Sequence, residues 1–459
     1  NASTSANLNV ATFSTIPSSA VYYTTTSGND VNIGGISVTA ATTGSFGFQS
    51  GSTGSGTRRI FFTAGGRGLE LTSGVTGTVG IVRAGISSGA SGTVIFKNDA
   101  AASTAWVRMT SSFVSNAAAA SELLLTGVNT GSNLIDGQIS AGGAGTLSLR
   151  KTGAGYWSLG GSNTYTGGFF LDSGTIGVGS SSAFGTGALT INGGAFGSIT
   201  SQRTLANNVT VNQNFVLGGL GQATTFSGTI DLAGGTRTIT LGNSATIANT
   251  AAVINGGLKL TGGSRFTFSS GTAYAYAGST TVEQGTTLIV NGTLSQSAVS
   301  AATGATVSGT GKISQSVSIL SGGLIESGTS TTVGTLATGA LSLSGTLVST
   351  ITGTLSSLLD LVDVTGNVNF TGGYVQPVLT GYTPSQGDRF RLLSWTGVAT
   401  GSPTFDLSQA TLTSGLTWDT SAFPSTGEIV VVPEPATVSL VASAGLAAVL
   451  FRRRRLARG

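Results

Sequence analysis

Neither histidine nor cysteine occurs anywhere in the 459 residues. Serine–histidine and cysteine–histidine nucleophile systems are therefore excluded, as are zinc and iron sites held by imidazole or thiolate. Chemistry would have to come from carboxylates, and the 16 present are spread almost singly along the chain. Asp360 and Asp363 form the one close pair. Three residues apart on a strand, they point to opposite faces and cannot act by themselves as a glycosidase pair. Stacking could bring distant acids together, and Asp172 and Glu283 would meet if they occupied equivalent corners of a repeat. The simpler reading makes both of them solvated turn residues. Gly309-Thr-Gly-Lys312 lacks the first glycine of a phosphate loop and the Ser or Thr after its lysine, so it reads as a turn. Tyr274, Tyr276, Phe266 and Phe268 could line a carbohydrate groove, but aromatic stacks within or beside a core explain them more simply. No catalytic residue, metal ligand or cofactor is expected.

The elements that would position these residues are short. Leu149–Val178 reads as strands at Leu147–Leu149, Tyr156–Leu159, Phe169–Leu171 and Thr175–Val178. They are cut by turns at Thr152–Gly155, Gly160–Tyr165 and Asp172–Gly174, where glycine supplies positive φ. Such strands cannot bury a face alone and need a copy above and below. An imperfect copy follows: Tyr165 to Gly174 aligns without a gap to Tyr276 to Gly285, matching the aromatic, the acid and the glycine. Gly285, Gly304, Gly322 and Gly339 then continue at steps of 19, 18 and 17 residues. Each precedes a β-rich run (Thr287–Val290, Ala305–Val307, Leu324–Ile325, Leu341–Leu343). A period just under 20 predicts one rung of a β-solenoid.

Composition agrees. Charged residues make up only 8% of the chain, 39% is hydrophobic and 73 residues are glycine. Uncharged polar side chains suit successive rungs, where like charges would repel at ~4.8 Å. Roughly 20 rungs would make a rod on the order of 100 Å long. Five of the 20 basic residues lie beyond residue 451, so the net charge of +4 belongs to the C-terminal tail. Arg58-Arg59 and Arg150-Lys151 are only pairs, and no nucleic-acid partner is expected. Between Pro17 and Pro377 there is no proline, as an uninterrupted ladder requires. Earlier strands are expected in Val31–Val38, Arg59–Thr63, Thr78–Val82 and Thr93–Phe96. In Ala117–Thr126, Glu122–Leu125 is expected to enter a strand rather than a helix.

Leu149–Val178, with its LRKTGAGYWSLGGSNTYTGG run, resembles the autotransporter-associated β-strand repeat of large bacterial surface proteins. The likeness is weaker from Thr190 to about Thr380. It implies an exported parallel β-helix with no common catalytic residues. Gly381 to Leu393, Leu416 to Thr420 and Gly427 to Val432 resemble the terminal module of such proteins. They read as longer antiparallel strands around Trp395, Trp418 and Phe390. The expected fold is all-β: a parallel β-helix (β-solenoid) rod with β-rich caps and a short C-terminal hydrophobic helix. Residues 1–145 form the N-terminal cap and first rungs, 146–375 the repeat body, 376–432 the C-terminal cap and 433–459 a tail.

That tail has Pro433-Glu434-Pro435, then 16 uncharged residues, Ala436–Phe451, then Arg452, Arg453, Arg454 and Arg455. Sixteen fall short of the ~20 residues of a membrane-spanning helix, although flanking arginines can snorkel. The charge pattern places the arginines on the cytoplasmic side. This order resembles the PEP-CTERM sorting signal. It implies export by a Gram-negative-type bacterium, an inner-membrane stage through Ala436–Phe451, and processing by an exosortase near Pro433-Glu434-Pro435. The expectation is a non-enzymatic surface or extracellular-matrix protein, with an adhesive or filament-forming role compatible with the sequence. Homo-oligomers and exopolysaccharide are the partners it leaves room for. The alternative is a polysaccharide-binding or polysaccharide-degrading enzyme on the same scaffold. An ordinary autotransporter passenger is set aside, because its C-terminal membrane barrel is replaced here by an apolar stretch and arginines.

Overall fold

The computed structural model describes residues 92–248, 250–328 and 332–435. Before residue 92 it describes 10–13, 21–25, 31–39, 46–50, 59–62, 68–77, 79–81 and 85–88. Among these residues the chain coils into a three-sided stack of short parallel strands, a β-solenoid. Among the described residues the only helical pieces are a single 3₁₀ turn at Ser356–Leu358 and one α turn at Phe423–Thr426.

One side, the second in each rung, is a ladder of 17 strands from Val21–Thr25 to Ala399–Thr400. At ~4.8 Å per step that ladder is about 80 Å long. The first side is built by 11 strands from Val10–Phe13 to Val253–Ile254, and then by six from Ala273–Tyr274 to Leu393–Trp395. The third has five strands up to Ile139–Ala141, and ten from Arg203–Leu205 to Thr404–Phe405. Two of the three sides are thus interrupted, at different heights.

The core follows from period-2 alternation with one face inward. Ser121–Gly127 alternates strictly, burying Leu123 and Leu125, so this stretch is strand as expected. Val31–Val38 is two strands, with a corner at Gly34 that carries the chain from the third side to the first. Aromatic rings fill the interior where rungs stack, as in the run Phe169, Phe184, Phe196 and Phe215. Phe266, Phe268, Tyr274 and Tyr276 are buried members of the same core and line no groove.

The glycine rhythm holds for two of its three steps. Gly285 N–H donates to the Gly304 carbonyl at 2.9 Å, and Gly304 to Gly322 at 2.7 Å. Gly339 instead donates to the Ile313 carbonyl, and Leu341–Leu343 lies on the second side while the three earlier runs lie on the third. The reason is insertion. From Val299, the steps to Val317, Leu341, Val368 and Ala399 are 18, 24, 27 and 31 residues.

Parallel pairing runs past Pro377, which sits in the strand Tyr374–Leu379 opposite Ser349. Proline is tolerated there for a geometric reason. Val375 and Leu379, of the same parity, bond toward the following rung, through Asp406 and Gln409. That rung's strand stops at Phe405, so no ladder partner is denied at Pro377. Beyond it, an antiparallel sheet of Arg389–Arg391, Glu428–Pro433 and Leu416–Asp419 closes the end. Phe390 is buried against Trp418 and Tyr382, and Phe423 packs between Phe370 and Phe405 of the last rungs. Trp395 belongs to the last first-side strand, paired with Val364, rather than to the cap sheet.

Candidate functional site: the motif rungs and the widened corner

The four strands expected in the motif are present, the first extended to Leu147–Lys151. They occupy the first side, the second, the first and the second. Between Leu159 and Phe169 the third side has no strand, and side chains close it instead. Asn163 accepts from Ile139 N–H at 2.8 Å and donates to the Ala183 carbonyl at 2.7 Å. The fully buried Tyr165 donates its hydroxyl to the same carbonyl at 3.3 Å. The Gly-Ser-Asn-Thr-Tyr run is therefore a bridge that replaces a strand.

Lys151 is the residue that sequence reading passed over. It is fully buried. Its ammonium donates to the carbonyls of Thr152 and Gly153 at 2.7 Å each and of Ser173 at 3.2 Å. Burial pushes its pKa down to about 8. Period-2 alternation points to it, since Leu147 and Leu149 face inward and Lys151 is next in phase.

Beside it, on the outside, a polar column crosses five rungs. Arg150 pairs with Glu122 at 3.0 Å and Asp172 at 2.6 Å, and lies over the ring of Phe170. Asp172 accepts from Asn192, and Asn192 from Asn212. Arg150 is held charged by Asp172 and Glu122.

The second copy of the motif begins at Leu258. Its strands Gly257–Thr261, Arg265–Phe268, Ala273–Tyr274, Thr280–Val282 and Thr287–Val290 fall on the second, third, first, second and third sides. The motif has moved one side around the coil. Lys259–Glu283, at 3.0 Å, repeats the Arg150–Asp172 pair one side over. Asp172 and Glu283 accordingly do not stack, which removes the carboxylate meeting considered from sequence. Each acid is instead occupied by the cation one rung below.

Asp360 and Asp363 also diverge. Asp360 is buried, accepting from Gly334 N–H and Thr350 N–H at 2.9 Å each, whereas Asp363 faces out and accepts from Ser394. Burial raises the Asp360 pKa. Burial and the nearby Asp360 raise that of Glu326. Gly309-Thr-Gly-Lys312 is a turn that runs into the strand Lys312–Ile313, with no helix behind it to hold phosphate.

Pro433 ends the cap strand opposite Leu416, and Glu434 N–H donates to the Gly415 carbonyl at 2.9 Å. Pro433, Glu434 and Pro435 are exposed. Ala436–Phe451 and Arg452–Arg455 lie outside the described residues. Among the described residues, no helix is long and apolar enough to cross a membrane.

Residues 149–178 and 258–290 match the family described as Passenger-associated-transport-repeat. The chain is also 32% identical over 141 residues to the adhesin BmaC autotransporter of Brucella suis biovar 1 (strain 1330). That match covers 31% of this chain and 4% of the relative.

Proposed function

We propose that this chain is a rod of an exported bacterial surface protein, with a structural and adhesive role and no catalytic one. The observation that carries this reading is the way its outer charges are used. Glu70, Lys97, Asp99, Glu122, Arg150, Asp172, Lys259 and Glu283 are paired with one another, mostly between successive rungs. They are spent on holding the stack and do not converge on a cleft. The repeat family and the adhesin relative support the same reading. Delivery is assigned to the C-terminal tail: an exosortase cuts near Pro433-Glu434-Pro435, after Ala436–Phe451 and Arg452–Arg455 have held the chain at the inner membrane. Uncharged faces leave homo-association and exopolysaccharide as partners.

The test is made on the producing cells. Protease added to intact cells should degrade the rod, and deletion of its gene should reduce attachment to a surface. Intact mass of the recovered protein should end close to Pro435. Protection from external protease would overturn the surface assignment. Retention of Arg452–Gly459 would overturn processing alone. Release of oligosaccharides from the strain's own polysaccharide by the purified protein would overturn the non-enzymatic reading.

A further inference from the structure

The chain holds three Asn-Gly dipeptides, Asn192-Gly193, Asn255-Gly256 and Asn291-Gly292. This pair of residues carries a chemistry of its own. The amide nitrogen after the asparagine can close a five-membered ring on the carboxamide carbon, and glycine has no Cβ to shield that approach. The reaction needs two freedoms. The carboxamide must be able to turn toward the following peptide, and the glycine N–H must not be tied into a hydrogen bond. The rod allots these freedoms unequally.

Asn192 lacks the first. Its Nδ2 donates to Asp172 at 2.7 Å and its Oδ1 accepts from Asn212 at 2.8 Å, so the outer polar column holds the carboxamide at both ends. Asn291 lacks the second. Gly292 N–H donates to the Phe268 carbonyl at 3.2 Å, and Asn291 Oδ1 accepts from Thr310 N–H at 3.2 Å. Asn255 has both. It is exposed, and its carboxamide makes one hydrogen bond, from Nδ2 to Asp231 at 3.2 Å. Among the described residues, Gly256 N–H donates to no acceptor. The corner is also conformationally unusual. Asn255 has a φ of +57°, and Ala233, in the turn one rung below, has +51°. Positive φ is uncommon outside glycine, and asparagine is among the residues that bear it best. The corner follows Val253–Ile254, the last strand of the 11-stranded first-side ladder.

We propose that Asn255 is a site of spontaneous deamidation, and that the rod ages there first. The Gly256 amide gives up its proton to hydroxide, and its nitrogen attacks Asn255 Cγ. The new C–N bond closes a succinimide, and the carboxamide nitrogen leaves as ammonia. Water then opens the ring at either carbonyl, giving aspartate or isoaspartate. Either product sets a carboxylate beside that of Asp231, where a donor stood, and the like charges repel. Isoaspartate also adds one carbon to the main chain between Ile254 and Gly256. Both changes weaken the pairing of Val253–Ile254 with Ile230–Asp231, the last of the first-side ladder.

The experiment is incubation of the folded full chain in mildly alkaline buffer, followed by peptide mapping by mass spectrometry and enzymatic methylation of isoaspartate. The peptide holding Asn255 should gain one mass unit and become a methyl acceptor, faster as hydroxide rises. The peptides holding Asn192 and Asn291 should stay unchanged over the same time. In urea all three should convert at similar rates, which shows that the fold makes the selection. A folded chain in which Asn255 does not convert, or converts no faster than Asn192 and Asn291, overturns the proposal. Asn255→Gly fits the positive φ and removes the reacting carboxamide. Aged wild type should lose about 1–2 °C in Tm against fresh protein, and aged Asn255→Gly should lose none. An equal loss in both would overturn the claim that this corner is where the rod weakens with age.

Discussion

Two copies of one motif lie in this rod, and they solve the same problem differently. In the first, Lys151 fills the last inward position of the opening strand, caged by three carbonyls. In the second, Leu260 stands there, buried and apolar. The first crosses the third side through Asn163 and Tyr165, without a strand. The second crosses the first side through the two-residue strand Ala273–Tyr274, with Tyr274 where Asn163 stood. Each sheet break falls where the motif makes this crossing. The second side runs unbroken because it holds a motif strand in both copies. The motif thus specifies a local sequence of strand, strand and bridge, and the threading decides which side of the rod is bridged.

The largest contrast concerns the glycines after the acid. Gly174 and Gly285 both have positive φ, +75° and +77°. A Cβ on Gly174 would lie 2.2 Å from the Gly153 carbonyl and 2.3 Å from Lys151 Nζ, whereas on Gly285 it meets nothing closer than 3.4 Å. Gly285→Ala should cost only the backbone term, about 1–2 kcal/mol. Gly174→Ala should cost at least ~3 kcal/mol, because the lysine cage must open as well. Urea unfolding of the two variants checks this, and equal losses would mean that the cage contributes nothing.

The lysine itself separates the copies by pH. Its folded pKa is near 8 against an ordinary 10.5. Between those values the unfolded chain holds a proton that the folded chain has released, so stability rises with pH through that window. The full span corresponds to ~3 kcal/mol. Below about pH 8 both states are protonated and the gain is absent. Lys151→Met, which supplies an apolar side chain as Leu260 does, should flatten the rise between pH 8 and 9.5. Buried Tyr165 and Tyr276, pushed upward by burial, act in the opposite sense only at higher pH. A wild-type profile already flat between pH 8 and 9.5 would contradict the assignment.

Much of this was legible in the residues, for identifiable reasons. The strands Tyr156–Leu159, Phe169–Leu171 and Thr175–Val178 could be read because glycine and Asn/Ser turns bound them on both sides. The all-β solenoid followed from short strands, a period and the absence of proline. The slip of the motif by one side could not be read, because an alignment registers local order and carries no angle around the axis. That is why Asp172 and Glu283 could be imagined at one corner. The step from Gly322 to Gly339 failed because an insertion at residues 327–334 lengthened the rung and an unrelated glycine happened to restore the spacing.

The tyrosines give a smaller contrast. Tyr165 makes one hydroxyl bond, to Ala183, while Tyr276 shares a 2.6 Å bond with Thr280, which contacts Ser297 at 2.8 Å. Both rings are buried, so Phe keeps the packing in either copy. Tyr165→Phe should cost about 1 kcal/mol or less. Tyr276→Phe should cost more, because it opens a buried chain of hydroxyls. If Tyr165→Phe proves the costlier change, the hydroxyl chain from Tyr276 to Ser297 contributes less than the single Tyr165 bond.

The ion pairs are the finest test of whether the copies are equivalent outside the core. Arg150 contacts two carboxylates and an aromatic face, whereas Lys259 contacts Glu283 alone, with both partners about a third or more exposed. Lys259→Ala should therefore change stability by less than ~0.5 kcal/mol, with the effect screened by salt. Arg150→Ala should cost about 1 kcal/mol, part of it insensitive to salt, because the stem and guanidinium also cover Phe170. Unfolding each variant at low salt and at 1 M salt separates the contributions. If the Arg150 effect vanishes entirely in salt, the column from Glu122 to Asn212 is held by charge alone, and its asparagine half adds no stability that charge does not lend it.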